Sequence, residues 1–358
     1  MGKNYKKLLK KLVIEYNEFS SKIDAAKLKP AQGQLRDYQL NILEFAKKIL
    51  KDIEGQNFSY FPIGGTLIGA LRHGGFIPWD DDFDIGMMRD DFDNMLKFCE
   101  ENYICIPSEK VSFALANREY VWDKYMKKYP NKNLYIRTPH HIQILAGTGM
   151  DNYANIDIFP HDYYCDELTI EEFSSYISRI NDKKLKISNF KKVLDFFEEE
   201  KKNNNIFVEK SNKIYYGLDN IDNYILKHRG FFTYDMIFPL KKIKFEDIEI
   251  SCQNQPLEFA ELQYRNCMQM PEFIEIAHHY NLRNNNMNIS NAVDFQGFLM
   301  NLYKKICYRN VNKENVLLKS IAVNAFKQNI YNITRRDKYK INYEKLLEKY
   351  NFLKSISE

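Results

Sequence analysis

The chain has 358 residues, of which 44% are hydrophobic and 28% charged, enough apolar mass for a real core in one large domain or two ordinary ones. Its 52 basic and 48 acidic residues leave a net charge of +4, too nearly balanced for a broad nucleic-acid-binding face. No apolar run approaches the roughly 20 residues of a membrane span, and the cysteines (Cys99, Cys105, Cys165, Cys252, Cys267, Cys307) lack the CxxC or CxH spacing of a zinc or redox site, which leaves reduced, structural thiols.

Tyr5 to Ile23 is apolar at i, i+3, i+4 spacing and predicts a helix. It carries neither an apolar signal core nor a small-residue cleavage site, so a cytoplasmic protein is expected. Lysines between the leucines of "YKKLLKKLVIEY" suit the solvated face of an amphipathic helix; the other reading is peripheral contact with an anionic membrane surface. Leu35 to Leu50 repeats the helical pattern. "FSYFPI" (Phe58 to Ile63) reads as a buried strand, "GGTLIGALRHGG" as a glycine turn opening a short helix, "FDIGMM" as a second strand and "RDDFDNMLKFCEEN" as a helix behind it. "YICIP", "HIQILAG" and "NIDIFP" add strands and complete a mixed α/β region running to about Asp162. Charged helices follow from Leu168, broken near Asn205 by "KKNNN". "KIKF" and "IEIS" flank Glu246-Asp247 as a hairpin, "PLEFAELQYRNCM" is helical with Pro256 in its first turn, and the remainder is helical and basic.

The chemistry concentrates at "GGTLIGALRHGGFIPWDDDFDIGM". Asp82 and Asp84, two apart on a strand, project together at about 6–7 Å while Phe83 and Ile85 enter the core. Such a pair repels itself unless a cation or proton relieves it. Oxygen-only ligands favour Mg²⁺ or Mn²⁺, and Mg²⁺ leaves room for substrate phosphates, which points to phosphoryl or nucleotidyl transfer. A third carboxylate is expected from a neighbouring strand, and Asp157, between Ile156 and Ile158, supplies it. Gly64, Gly65 and Thr66 open a helix whose free N–H groups suit a phosphate; Arg72 and His73 are expected to neutralise another phosphate oxygen. Asp80, Asp82 and Asp84 have the one-three-five spacing of a calcium loop, but Ile85 and Asp91 stand where an EF-hand needs Gly and Glu. Asp80 and Asp81 read as loop-ordering groups, and His140-His141 as a strand cap. A bare Asp-x-Asp also occurs in sugar-nucleotide glycosyltransferases and aspartyl-phosphate phosphatases.

The glycine pair, the acid-x-acid strand and the later strand acid, quoted together, closely resemble the signature of the LicD/fukutin family, a branch of the nucleotidyltransferase-fold superfamily. The resemblance is good over Phe58–Met88 and Asn155–Asp162 and looser over Asp235–Pro271, where Tyr264-Arg265 replaces an expected Tyr-Gly pair. Ser108 to Thr138 and Leu168 to Tyr234 look like insertions, and His278-His279 falls where the family often carries a histidine.

The resemblance implies an α/β (α+β) fold with a nucleotidyltransferase-like mixed β-sheet core flanked by helices. The expected organisation is N-terminal helices over 1–52, a catalytic core over 53–165, a helical insertion over 166–234, a completing hairpin and helix over 235–275, and a helical region over 276–358. It further implies a Mg²⁺- or Mn²⁺-dependent transfer of a phospho-alcohol, phosphocholine first, from a CDP-linked donor to a sugar hydroxyl of a bacterial glycan or lipid-linked saccharide, with release of CMP and no nucleic-acid partner. Asp82, Asp84 and Asp157 would be the catalytic and metal-holding acids, and Gly64, Gly65, Thr66, Arg72 and His73 the phosphate-binding set. Trp79, Tyr153, Tyr163 and Tyr164 are the aromatic residues near the acids that a choline cage would need. The alternatives are glycerol- or ribitol-phosphate transfer, an NTP-dependent nucleotidyltransferase releasing pyrophosphate, and a catalytically silent nucleotide- or glycan-binding protein.

Overall fold

In a computed structural model, residues 2–106, 122–130, 132–138, 140–147, 153–184, 186–187, 190–220, 230–277 and 338–358 are described. His278 and His279, and the side chain of Tyr153, lie outside them. Two compact units form, one of Pro30–Gln269 with Ala277–Arg283, the other of Met1–Lys29, Met270–Ile276 and Asn284–Glu358.

The larger unit is built on a mixed sheet in the order β1-β2-β6-β5-β4-β3, with β7 and β8 also pairing to β6. The strands are β1 (Phe61–Pro62), β2 (Asp84–Met88), β3 (Ile104–Cys105), β4 (Leu134–Arg137), β5 (Ile142–Gly147), β6 (Tyr153–Tyr164), β7 (Phe207–Val208) and β8 (Lys213–Tyr216). β2 runs parallel to β6, and β5 runs antiparallel to it on the other side. The mixed α/β class expected from the sequence is therefore the one observed.

β6 is longer than "NIDIFP" predicts. Its first half pairs with β5 and its second half with β8, from His161↔Tyr216 to Tyr164↔Lys213. β4 and β8 have no counterpart in the sequence expectation. "LYIR" and "KIYY" are four residues each, too short for alternation to distinguish them from loop.

Helices cover the sheet. α2 (Gly33–Gly55) buries Ile42, Leu43, Phe45, Ala46, Ile49, Leu50 and Ile53 in the main core with Phe83, Ile85, Ile156 and Ile158 of the sheet region. α3 (Gly64–His73) follows β1, and α4 (Arg89–Asn102), with the bounds the sequence predicts, follows β2. α5 (Ile170–Lys184) and α6 (Phe190–Asn203) come next, then the short α7 (Tyr234–Ile237). The hairpin β9 (Lys241–Phe245) and β10 (Ile248–Cys252) precedes α8 (Pro256–Gln263).

In the smaller unit α1 (Gly2–Ser20) packs against α9 (Lys338–Ser357). Tyr16 is its buried centre: its ring stacks on Phe273 at 5.5 Å and meets Tyr350 edge-on at 6.1 Å, and its hydroxyl accepts from the Ile274 amide. Among the described residues no helix is long and apolar enough to cross a membrane.

One polar knot fixes the C-terminal half of β6. Arg89, the first residue of α4, donates to both carboxylate oxygens of Asp162 at 2.6 and 3.0 Å and to both of Asp219 at 3.1 and 2.7 Å. Arg137 on β4 adds a 2.7 Å bond to Asp219, and both guanidinium groups lie over the Phe92 ring. The two arginines hold the Asp219 carboxyl well below the usual carboxylate range, against a burial effect that would raise it. Removing one member of a buried network strands the remaining charges. Asp219→Ala is expected to lose about 3–5 kcal/mol, read as a lowered urea midpoint with an unchanged slope.

Candidate active site

Alternation along an extended backbone places the acids. Phe83, Ile85, Ile156 and Ile158 are fully buried, while Asp82, Asp84 and Asp157 between them are half-buried and share the opposite face. Asp84 and Asp157 are register partners across the parallel β2–β6 pair, so their Cα atoms stand about one strand spacing, ~4.8 Å, apart. Asp82 precedes the strand on the same face. Burial and the repulsion of Asp82, Asp157 and Asp80 together hold the Asp84 carboxyl proton well above the usual carboxylate range.

This donor set suits a hard divalent cation, because it offers carboxylate oxygens alone and one of them resists ionisation without a counter-charge. It is not a preformed cage. Among the described residues, no three His, Cys, Asp or Glu side chains are grouped closely enough to hold a metal as they stand.

The start of α3 lies beside the acids. Gly64, at φ 57°, has Asp84 Oδ2 at 3.4 Å and the Tyr264 hydroxyl at 3.7 Å from where a Cβ would sit. At Gly65 that position collides with Asp80 Oδ2, so Asp80 packs its carboxylate onto the helix start and leaves no space for a side chain. Thr66 is buried, and its hydroxyl accepts the Asp84 amide at 2.8 Å. That bond ties the first turn of α3 to the first residue of β2.

Arg72 and His73 lie in the last turn of α3. At 1.5 Å per residue they are roughly 12 Å along α3 from Gly64. Arg72 is buried, donates through Nη1 to the carbonyls of Cys267 at 2.9 Å and Gln269 at 3.0 Å, and lies over Trp79 at 5.5 Å. It fastens the segment after α8 to α3. His73 Nε2 accepts from Arg72 Nε at 2.9 Å, and burial, followed by the Arg72 charge, pushes its pKa down to about 4.

Two of the aromatic residues near the acids have partners within the fold. Trp79 is covered by Arg72, and Tyr164 is a core residue whose hydroxyl donates to the Tyr216 carbonyl.

Several residues that shape the site escape motif reading. Gln39, fully buried on α2, donates to the carbonyls of Ile77 at 3.1 Å and Asp80 at 2.8 Å, pinning the loop that carries the acids. Arg36 grips Glu246 at the hairpin tip through two bonds of 2.9 and 2.7 Å, and Glu246 accepts the Phe76 amide at 3.0 Å. A Cβ at Gly69 would run into the Gly75 carbonyl, so α3 and this loop meet backbone to backbone. On β5, Gln143 donates to Asp157 Oδ1 at 2.8 Å. The signal that the sequence offers for these contacts is a polar residue on an apolar stripe, Gln39 within α2 and Gln143 within "IQIL".

The family model described as LicD/FKTN/FKRP, nucleotidyltransferase domain, matches residues 57–145, which include the α3 start, Asp82 and Asp84. The lipopolysaccharide cholinephosphotransferase LicD of Haemophilus influenzae is 51% identical over 61 residues, 16% of this chain and 22% of that protein. The human ribitol 5-phosphate transferase FKRP is 33% identical over 81 residues, 23% of this chain and 15% of that protein. The aligned segments thus span less than a quarter of either relative.

Thr66→Val keeps the shape of the side chain and strands the Asp84 amide. It is expected to cost about 1–3 kcal/mol, with Thr66→Ser restoring most of the loss in thermal unfolding.

Proposed function

We propose that this chain, a member of the LicD/FKTN/FKRP family through its nucleotidyltransferase domain, transfers a phospho-alcohol from a CDP-linked donor to a sugar hydroxyl of a bacterial cell-surface glycan, releasing CMP. The observation that carries this reading is the register pairing of Asp84 with Asp157 beside the Gly64 start of α3. It sets Asp84 beside Asp157 with the start of α3 next to Asp84, which supports a shared cation and a phosphate at this end of the sheet.

Asp82, Asp84 and Asp157 would hold Mg²⁺ or Mn²⁺, which when bound supplies neutralisation of the donor diphosphate. The Gly64 end of α3 contributes backbone N–H groups and the positive end of the helix dipole to phosphate oxygens. Asp157 would also help to deprotonate the attacking hydroxyl. Tyr264 brings a hydroxyl within reach of the Gly64 turn, where it can orient donor or acceptor oxygens. Thr66, Gln39 and Arg72 act at one remove by holding β2, the acidic loop and the segment after α8.

Phosphocholine is the first choice of group, supported by the 51% identity to a cholinephosphotransferase. Ribitol or glycerol phosphate is the second reading, favoured by Trp79 and Tyr164 being engaged elsewhere. The acceptor site would lie at the inner face of a membrane or on a lipid-linked saccharide.

Incubation with Mg²⁺, a saccharide acceptor and, in turn, CDP-choline, CDP-ethanolamine, CDP-glycerol, CDP-ribitol and NTPs tests the proposal. CMP release from one CDP-alcohol is the expected result; pyrophosphate release from an NTP, with none from the CDP compounds, would overturn it.

The Asp84 carboxyl gives a second prediction with a defined sign. Its folded pKa lies above the unfolded value, so the unfolded chain releases this proton first and metal-free stability falls as pH rises from about 4. Asp84→Asn removes that loss. In EDTA the variant should melt above the parent at pH 7 and level with it near pH 4, while transfer is abolished. Parental melting that stays below the variant after Mg²⁺ addition would count against a metal at this site.

A further inference from the structure

We infer that Gln143 and His141 are positioning residues that clamp the Asp157 carboxylate from the β5 side and turn it toward Asp84. This rests on the reading of Asp157 as a metal-holding acid.

Gln143 and Asp157 are register partners across the antiparallel β5–β6 pair, and the amide Nε2 donates to Asp157 Oδ1 at 2.8 Å. Gln143 is only 5% exposed and stands between Ile142 and Ile144, both fully buried. Its Oε1 is buried and finds no hydrogen-bond partner among the described residues. An apolar side chain of the same length would avoid that desolvation cost. Stability therefore does not account for an amide here, whereas control of a neighbouring carboxylate does.

The other oxygen of Asp157 faces a histidine. His141, immediately before β5, places Nε2 3.6 Å from Asp157 Oδ2, and among the described residues this buried nitrogen has no hydrogen-bond partner of its own. The ring is held from behind. Thr138 Oγ1 lies 3.0 Å from His141 Nδ1 and accepts the amides of His140 at 3.2 Å and His141 at 3.0 Å. Phe159 supports the imidazole at 4.9 Å. The Thr138 hydroxyl donates to the His141 carbonyl at 3.0 Å, so Thr138 holds the backbone of His141 on both sides of the residue as well as lying against its ring.

Gln143 thus holds one oxygen of the carboxylate by a hydrogen bond from β5, and the His141 ring lies beside the other. On the β2 side the register partner of Asp157 is Asp84. Outer contacts of this kind set ligand orientation, and their loss typically weakens metal binding by about 10–100-fold.

The test is Mn²⁺ binding, followed by the paramagnetic signal of the free ion, in the parent chain, Gln143→Met, His141→Phe and Asp157→Asn, with circular dichroism as the check on folding. Gln143→Met keeps the length without a donor and should stay folded, bind Mn²⁺ about 10–100-fold more weakly, and raise the metal concentration for half-maximal transfer more than it lowers kcat at saturation. His141→Phe should shift affinity in the same direction and provides a second route if the first variant folds poorly. Parental affinity in both folded variants, with binding lost in Asp157→Asn, would overturn the clamp and leave the metal reading intact. No Mn²⁺ binding by the parent chain, or undiminished binding by Asp157→Asn, would instead remove the metal reading and the clamp with it.

Discussion

Two carboxylates placed opposite each other on adjacent parallel strands set the problem that the rest of the larger unit solves. Asp84 and Asp157 are held together by the β2–β6 ladder, not by attraction between their side chains. Burial, and then repulsion from Asp82, Asp157 and Asp80, opposes the ionised state of Asp84. A chain that retains such a pair gives up stability for it, so the neighbouring structure has to hold the backbone against a local force that favours separation.

The holding is done by polar contacts reaching in from elements distant in sequence. Gln39 from α2 fixes the carbonyls of the acidic loop, Thr66 from α3 fixes the amide of Asp84, and Arg36 works through Glu246 to fix the amide of Phe76. Each contact meets a backbone group of the loop or of the strand it leads into. The close approach of Gly69 to the Gly75 carbonyl allows α3 to lie against this loop. Loop and helix start are thereby positioned as one piece.

At the other end of β6 the logic is electrostatic. The Arg89, Arg137, Asp162 and Asp219 network joins α4, β4, β6 and the turn after β8, and its geometry is bidentate at Arg89. Such networks specify which elements meet more than they add net stability. Here the network anchors the C-terminal half of β6 to the region following α6, while the N-terminal half presents Asp157. The strand that carries the third acid is thus gripped along both halves.

Much of this arrangement is legible in the sequence. The period-2 alternation of "FDIGMM" and "NIDIFP" puts Asp82, Asp84 and Asp157 on faces opposite the core, and the glycine pair marks a helix start. α4 and the β9–β10 hairpin follow from periodicity and turn residues alone. β4 and β8 do not, since four-residue segments carry too little pattern, and the extension of β6 through Tyr164 depends on its pairing with β8. The bonds of Arg72 to the carbonyls of Cys267 and Gln269 are likewise invisible to a motif, which measures distance along the chain. Sequence by itself determined which residues each element turns toward the core and which it turns away, because that depends only on the local repeat of the backbone. Tertiary structure alone decided that Asp84 meets Asp157, that Gln143 reaches Asp157 and that Gln39 reaches the acidic loop, because strand register and long-range hydrogen bonds are set by how whole elements pack.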